Sequence, residues 1–312
     1  MKGDLKVFSG TAHPELAKKV CEHLGLPLGQ AEIFKFANDN TFVAVKESVR
    51  QADVFVIQPS CTPVNDGLME LLIMIDALKR ASARSVAAVL PYYPYARSDK
   101  KDQPRVAITA RLVGDLLTAA GADRIVTVDL HAPQIQGFLN ICLDHLTARG
   151  LIADYFRQLK LDNGVVVAPD AGAAKQAEFY AGKLHLPYAI IDKRRVGNLD
   201  QPVAQNIIGD VDGKTALIFD DEISTGGSIR EAARVLKYKG AKEILVGAVH
   251  PVFCGQVVER LLDPVISQVV VTDTVPARPD VLHKLKVISV AKLLADTIRC
   301  IHTGQSISGL MT

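Results

Sequence analysis

The sequence has no apolar run long enough to cross a bilayer. Its longest apolar stretches, such as Val269-Val270-Val271, are strand-sized. The opening Met1-Lys2-Gly3-Asp4-Leu5-Lys6 carries no long apolar core, so no secretory leader is expected. Cysteine is scarce and scattered: Cys21, Cys61, Cys142, Cys254 and Cys300 are odd in number and form no Cys-x-x-Cys pair. That excludes a cysteine-built zinc site and fits a reducing, cytoplasmic setting. A net charge of only +2 gives no reason to expect a nucleic-acid partner, and no membrane partner is expected either. What is present is globular. The chain has 312 residues, 48% hydrophobic and 22% charged, enough for two domains of ordinary size.

Short β-rich runs alternate with amphipathic helical patterns. Val54–Gln58, Val86–Leu90, Ile125–Val128, Val165–Ala168, Ala189–Ile191, Leu217–Phe219, Ile244–Ala248 and Val269–Thr272 read as strands. Met69–Arg80, Thr109–Ala120, Ala174–Leu184, Ile229–Tyr238 and Val257–Leu262 read as helices. This alternation predicts the α/β class, with mainly parallel sheets covered on both faces. A faint internal repeat is visible at an offset of about 160 residues. At that offset Gly67 meets Gly227, Pro91 meets Pro251, and Ser60-Cys61 meet Asp220-Asp221. The repeat implies a duplication in which the second copy alone carries the paired carboxylates. A boundary near residues 145–150 divides the chain into an N-terminal domain over 1–147 and a C-terminal domain over 148–312.

The most informative stretch is Ala216-Leu217-Ile218-Phe219-Asp220-Asp221-Glu222-Ile223-Ser224-Thr225-Gly226-Gly227-Ser228. A buried strand runs into carboxylates, then a turn of small residues, then a helix start. Small residues let several backbone N–H groups face one anion, and the helix N-terminus adds partial positive charge. Ser224–Ser228 therefore suits a phosphate. Asp220 and Asp221 would repel one, and suit sugar hydroxyls or a metal shared with the substrate. Phosphate at one end and a diol at the other describe a phosphorylated sugar, although a plain helix cap would show similar residues. The stretch resembles the ribose-5-phosphate loop of the phosphoribosyltransferase-type fold.

Other segments carry charge at strand ends. In Pro91–Arg105, four cations (Arg97, Lys100, Lys101 and Arg105) fall within nine residues, which suits a loop closing on polyphosphate. His131 follows a strand and can bind a metal or orient a phosphate. Asp170, in Ala168-Pro169-Asp170-Ala171-Gly172, is either a helix N-cap or a carboxylate sharing a magnesium ion with His131 or with substrate oxygens. Ile191-Asp192-Lys193-Arg194-Arg195 clusters three cations, and strand alternation would send Lys193 and Arg195 to one side, where they would stabilise phosphoryl transfer.

Together with Pro63-Val64-Asn65, the run Met69–Ser82, Asp129-Leu130-His131-Ala132 and Gln134-Ile135-Gln136-Gly137-Phe138, these segments resemble the ribose-phosphate pyrophosphokinase (PRPP synthetase) family over nearly the whole chain, from about Phe8 to Ser308. The resemblance implies two phosphoribosyltransferase-type domains, each a mainly parallel sheet flanked by helices, with the last helix packing back on the first domain. It implies transfer of diphosphate from ATP to the C1 hydroxyl of ribose 5-phosphate, a Mg2+ cofactor, and a homo-oligomer, hexameric or otherwise dimer-based. By the same resemblance Ser224, Thr225, Gly226, Gly227 and Ser228 hold the 5-phosphate, and Asp220 and Asp221 the ribose hydroxyls. Phe36, Asn38, Asn40, Arg97, Ser98, Lys100, Lys101 and Arg105 engage ATP. His131 and Asp170 serve the metal, and Lys193 and Arg195 are catalytic.

The chain departs from the family pattern at several points. Where Arg-Phe-Ser-Asp-Gly-Glu is usual it has Lys35-Phe36-Ala37-Asn38-Asp39-Asn40, which replaces two carboxylates by amides able to donate as well as accept. Ser224 replaces an Asp, Pro94 and Ala173 each replace a Gly, and Gly309 stands for a Tyr after the paired Ser306 and Ser308. His145 replaces a frequent Asn. A non-catalytic regulatory paralogue and a nucleobase phosphoribosyltransferase remain as alternatives at this point.

Overall fold

The computed structural model describes residues 3–192, 206–277 and 283–310. They sort into two compact units. One runs to Ala148 and takes back Asp273–Pro276 and the segment from Ser289; the other covers Arg149–Thr272 and Ala277–Ile288.

Among the described residues, the first unit has a five-stranded parallel sheet. Its strands are β1 (Leu5–Ser9), β4 (Asp53–Ile57), β5 (Ser85–Leu90), β6 (Arg124–Val128) and β7 (Cys142–Leu146), in the spatial order β1-β4-β5-β6-β7. A separate antiparallel hairpin joins β2 (Ala31–Lys35) to β3 (Thr41–Val45). The helices are α1 (Pro14–Leu24), α2 (Val64–Arg80), α3 (Thr109–Ala120) and α8 (Ala291–Thr303). β4 is buried along its whole length, as a strand covered on both faces must be. Leu71, Met74, Ile75 and Leu78 of α2 recur at helical spacing and are fully buried against Val54, Val56, Val86 and Ala88. α8 is tied to this unit by Arg299, which donates to the His23 carbonyl (2.8 Å), and by His302, whose Nδ1 lies 2.8 Å from Asp53. Arg84 and Ser85 also donate to Asp53, and Arg84 holds that carboxyl below the usual carboxylate range against the opposing effect of burial.

The second unit's sheet has seven described strands in the order β10-β9-β8-β11-β12-β13-β14. They are β8 (Gly164–Ala168), β9 (Tyr188–Asp192), β10 (Asn206–Ile208), β11 (Thr215–Glu222), β12 (Glu243–His250), β13 (Gln268–Thr272) and β14 (Leu285–Ile288). β10 alone runs antiparallel to its neighbour. Strand alternation divides the core cleanly. Ala216, Ile218, Val246 and Val269 face α6 (Gly227–Tyr238), whereas Leu217, Phe219, Leu245 and Val270 face α4 (Arg149–Gln158) and α5 (Ala174–Leu184). On the second face Phe219 stacks on Tyr180 with centroids 3.6 Å apart. The strand–helix–strand segments β4-α2-β5 and β11-α6-β12 recur at the sequence repeat, each with its two strands adjacent and parallel.

In the first unit a buried carboxylate fixes the turn that leaves β1. Glu70 on α2 accepts from the Thr11 N–H (2.6 Å), the Thr11 hydroxyl (2.7 Å) and the Gln58 amide (2.7 Å). The Gln58 amide oxygen accepts from the Ala12 N–H (3.0 Å). Removing Glu70 leaves buried donors without acceptors, so Glu70→Ala is expected to lower stability by about 3 kcal/mol. Glu70→Gln, which keeps one acceptor, is expected to lose less. Urea midpoints check this, and an alanine variant within about 1 kcal/mol of the parent would contradict it.

Candidate active site

In the second unit β8 and β11 are neighbours although β9 and β10 separate them in sequence. From this line the chain winds outward in both directions, to β9 on one side and to β12 and β13 on the other. Such a reversal opens a crevice beyond the carboxyl ends of the strands. Asp170 emerges there from β8, residues 223–228 emerge from β11, and the chain leaves the parallel neighbour β9 at Asp192. Lys193 and Arg195 follow Asp192 and lie outside the described residues.

β11 is longer than the apolar pattern predicts. It continues past Phe219, with Asp220 opposite Ala248 and Glu222 opposite His250 on β12, so Asp220, Asp221 and Glu222 are strand residues. The ladder to β12 overrides the polarity of the side chains. Asp220 is half-buried and its carboxyl is pushed up to about 8, first by burial and then by the Asp221 carboxyl hydrogen-bonded beside it. The backbone also bridges the carboxylates: the Asp221 N–H donates to Asp220 Oδ1 (2.9 Å) and the Glu222 N–H to Asp221 Oδ1 (3.0 Å).

Beyond β11 the loop is held from behind. The Phe253 N–H donates to the Ile223 carbonyl (2.9 Å) and the Cys254 N–H to the Ser224 carbonyl (3.0 Å). A trans peptide sets its N–H opposite its C=O. The N–H groups of Ser224 and Thr225 therefore turn away from the 253–254 segment, and no acceptor among the described residues takes them. Gly226 is left-handed (φ +71°), and α6 begins at Gly227. Small residues, outward N–H groups and a helix N-terminus together form an anion cradle.

Asp170 caps a single 3-10 turn, Ala171–Ala173, accepting from the Ala173 N–H at 3.1 Å. The cap reading is thus correct locally, and the exposed carboxylate keeps further acceptor capacity. Among the described residues no three His, Cys, Asp or Glu side chains cluster as a metal cage. The exposed Asp170 carboxylate is the kind of oxygen donor that a divalent cation takes together with substrate phosphates.

In the first unit, the parallel neighbours β5 and β6 deliver the cationic loop and His131 to the same, carboxyl-terminal end of the sheet. The loop's base is fixed. Tyr93 is buried and donates to the Ala110 carbonyl (2.9 Å), and the Ala110 N–H donates to the Ser98 carbonyl (3.1 Å). Arg97, Lys100, Lys101 and Arg105 are exposed above it. Asp99, only 6% exposed, accepts from Gln134, which links the β5 and β6 exits. The sequence reading missed Asp129. This buried carboxylate accepts from the Thr147 hydroxyl (2.9 Å) and the Ala148 N–H (2.7 Å), and its backbone has φ +35° just before His131. A carboxylate at the end of an apolar strand was the available signal.

The hairpin carries Phe36, Asn38 and Asn40 at its tip. The Phe36 N–H donates to the Asn40 carbonyl (2.9 Å), and the Asn40 N–H donates to the Asn38 side-chain oxygen (3.3 Å). Lys35 holds the tip to α2 through Asp39 (2.8 Å) and Asp66 (2.6 Å). Phe36 is 50% exposed and packs edge-on against Phe34 and Phe42, leaving ring surface open to a flat ligand.

Comparison with known proteins agrees with this geometry. The N-terminal domain of ribose phosphate pyrophosphokinase matches residues 5–121, and a phosphoribosyl synthetase-associated domain matches residues 198–312. The chain is 51% identical to a ribose-phosphate pyrophosphokinase of Caldanaerobacter subterraneus, over 99% of this chain and 98% of that protein. It is 48% identical to one from Deinococcus radiodurans, over 100% and 99%. The chain belongs to the ribose-phosphate pyrophosphokinase family. As a member it is an enzyme, a kinase-type transferase of nucleotide biosynthesis. The fold agrees: the phosphoribosylpyrophosphate synthetase of Mycobacterium smegmatis superimposes with a TM-score of 0.91 at 45% identity, covering 96% of this chain and 99% of that one. The described residues include no helix long and apolar enough to cross a membrane.

The Asp220 carboxyl yields a pH prediction. Its folded pKa lies above the unfolded one, so the folded state holds a proton that the unfolded chain releases near pH 4. The stability tied to that proton is complete below about pH 4 and is lost as pH rises to about 8. Asp220→Asn removes this dependence. Melting curves at pH 5 and pH 8 are expected to diverge less for the variant than for the parent, and equal divergence would refute the assignment.

Proposed function

We propose that the protein transfers the β,γ-diphosphate of ATP to the C1 hydroxyl of ribose 5-phosphate, giving PRPP and AMP. The observation that carries this reading is the union, at one strand exit, of an anion cradle at 224–228 with the half-buried carboxyl pair Asp220–Asp221. That pairing matches a sugar phosphate: Ser224 to Ser228 take the 5-phosphate, and Asp220 and Asp221 take the 2- and 3-hydroxyls.

The nucleotide falls to the first unit. Phe36 stacks on the base, Asn38 and Asn40 read its edge, and Arg97, Ser98, Lys100, Lys101 and Arg105 hold the polyphosphate. The C1 oxygen attacks the β-phosphorus. A C1–O–P bond forms, the bond from the β-phosphorus to the oxygen bridging it to the α-phosphorus breaks, and that oxygen leaves with AMP. The C1 hydroxyl proton passes to solvent. Lys193 and Arg195 are the groups assigned to the charge that builds on the transferring phosphoryl oxygens. Mg2+ supplies charge neutralisation on the phosphates when bound, and His131 in the first unit and Asp170 in the second are its candidate ligands, each considered alone. A cytoplasmic homo-oligomer, hexameric or otherwise dimer-based, completes the reading.

AMP release from ATP with Mg2+ is expected only when ribose 5-phosphate is present; no AMP under any condition would overturn the proposal. Lys193→Ala is expected to lower kcat by about 10²–10³-fold with little change in the KM for ribose 5-phosphate. The amides at 38 and 40 both donate and accept, so they suit an amino or an oxo group on the base edge. GTP and CTP are therefore expected to serve as donors, and Asn38→Asp to narrow use toward ATP. Turnover with ATP alone in the parent protein would refute this last point.

A further inference from the structure

The loop read above as the 5-phosphate cradle has a third tie from behind, and it comes from a side chain. Arg260, on α7 (Val257–Leu261), donates from Nη1 to the Thr225 carbonyl at 3.0 Å. Its Nη2 reaches the Gln256 side chain at 3.3 Å, while its Nε is buried without a hydrogen-bond partner. The same side chain, together with Val257, packs beneath the glycine pair. A β-carbon added to Gly227 would stand 3.3 Å from Arg260 Nη1, and one added to Gly226 would stand 3.6 Å from Arg260 Cβ.

With Ile223 and Ser224 already tied to Phe253 and Cys254, three successive carbonyls turn toward one side. By peptide planarity the N–H groups of Ser224, Thr225 and Gly226 all turn toward the other. Backbone amides suffice for the first two ties, but the third carbonyl sits where the left-handed turn at Gly226 carries the chain away from the 253–254 segment. A long forked donor spans that gap, and it is cationic. Asp263, the nearby carboxylate, is engaged by Arg234 (2.8 Å), so the charge of Arg260 is not paired off by it.

We propose that Arg260 is a positioning residue for ribose 5-phosphate. It locks the Thr225–Gly226 peptide so that the Gly226 N–H meets the phosphate, and it places positive charge beneath the cradle without reaching the substrate. The proposal rests on the reading of 224–228 as the phosphate loop.

The test is steady-state kinetics of the full-length enzyme with ATP, Mg2+ and ribose 5-phosphate, alongside thermal melting. Arg260→Ala is expected to raise the KM for ribose 5-phosphate at least about tenfold, with kcat and the KM for ATP within about twofold of the parent. Arg260→Lys, which keeps one donor and the charge, is expected to recover part of that loss. Ser228→Asp, which sets a carboxylate in the cradle, tests the underlying reading and should raise the same KM more steeply. If Ser228→Asp leaves that KM unchanged, the loop is not the phosphate site and both readings fail. If Ser228→Asp raises it and Arg260→Ala does not, the positioning role alone is wrong. A fall in kcat with a similar rise in both KM values and a lowered melting point in Arg260→Ala, unrelieved in Arg260→Lys, would reduce Arg260 to a packing residue and also overturn the proposal.

Discussion

Peptide planarity governs how this protein presents charge to its ligands. A carbonyl engaged on one side of the chain commits the following N–H to the other, so backbone ties made behind a loop decide what its front can bind. Residues 223–225 obey this rule through Phe253, Cys254 and Arg260. The same rule explains why the segment after β12, which touches no substrate in our reading, matters to the loop after β11. The loop needs no lysine or arginine of its own to attract an anion. In the proposed reading its selectivity comes from aimed dipoles, and the adjacent carboxyls of Asp220 and Asp221 discourage a second phosphate and receive hydroxyls.

The two units use related scaffolds differently. In the second, a carboxyl pair stands where the first has Ser60 and Cys61. The first instead buries Glu70 against the turn after β1 and spends its strand exits on cations and on His131. Asp99 and Asp129 are the buried acids at that end of the sheet: Asp99 accepts from the Gln134 amide, and Asp129 from the Thr147 hydroxyl and the Ala148 N–H. They shape loops, and the side chains above them are exposed, which is what the proposed nucleotide role needs.

Much of this architecture is visible in the sequence. β4, β5, β6, β8, β9, β11, β12 and β13 are near-continuous apolar runs, because a parallel strand covered on both faces has no solvent side to mark with polarity. The strands that escape such reading carry mixed signals. β1 holds Lys6, β7 holds Asp144 and His145, and β2 and β3 are half-exposed in a hairpin of their own. The helices α1, α4 and α8 are amphipathic, but α4 begins in a stretch that reads as a boundary. The strand–turn–helix after Phe219 is equally legible, since its small residues act locally. Sequence does not disclose that β8 lies beside β11, or that residue 260 returns to residue 225. Those are properties of winding order, fixed only once the sheet is assembled.

The elevated affinity of Asp220 for its proton gives ligand capture a further thermodynamic side. In the free protein, burial and the neighbouring Asp221 carboxyl favour the protonated form of this carboxyl, which can itself donate. Hydroxyl donors from a sugar favour the ionised form and lower its pKa. If the site takes a sugar phosphate as we propose, its occupation would release a proton into the medium. The heat of association then includes the ionisation enthalpy of whatever buffer accepts that proton, and differs between phosphate and amine buffers even when the affinity is the same.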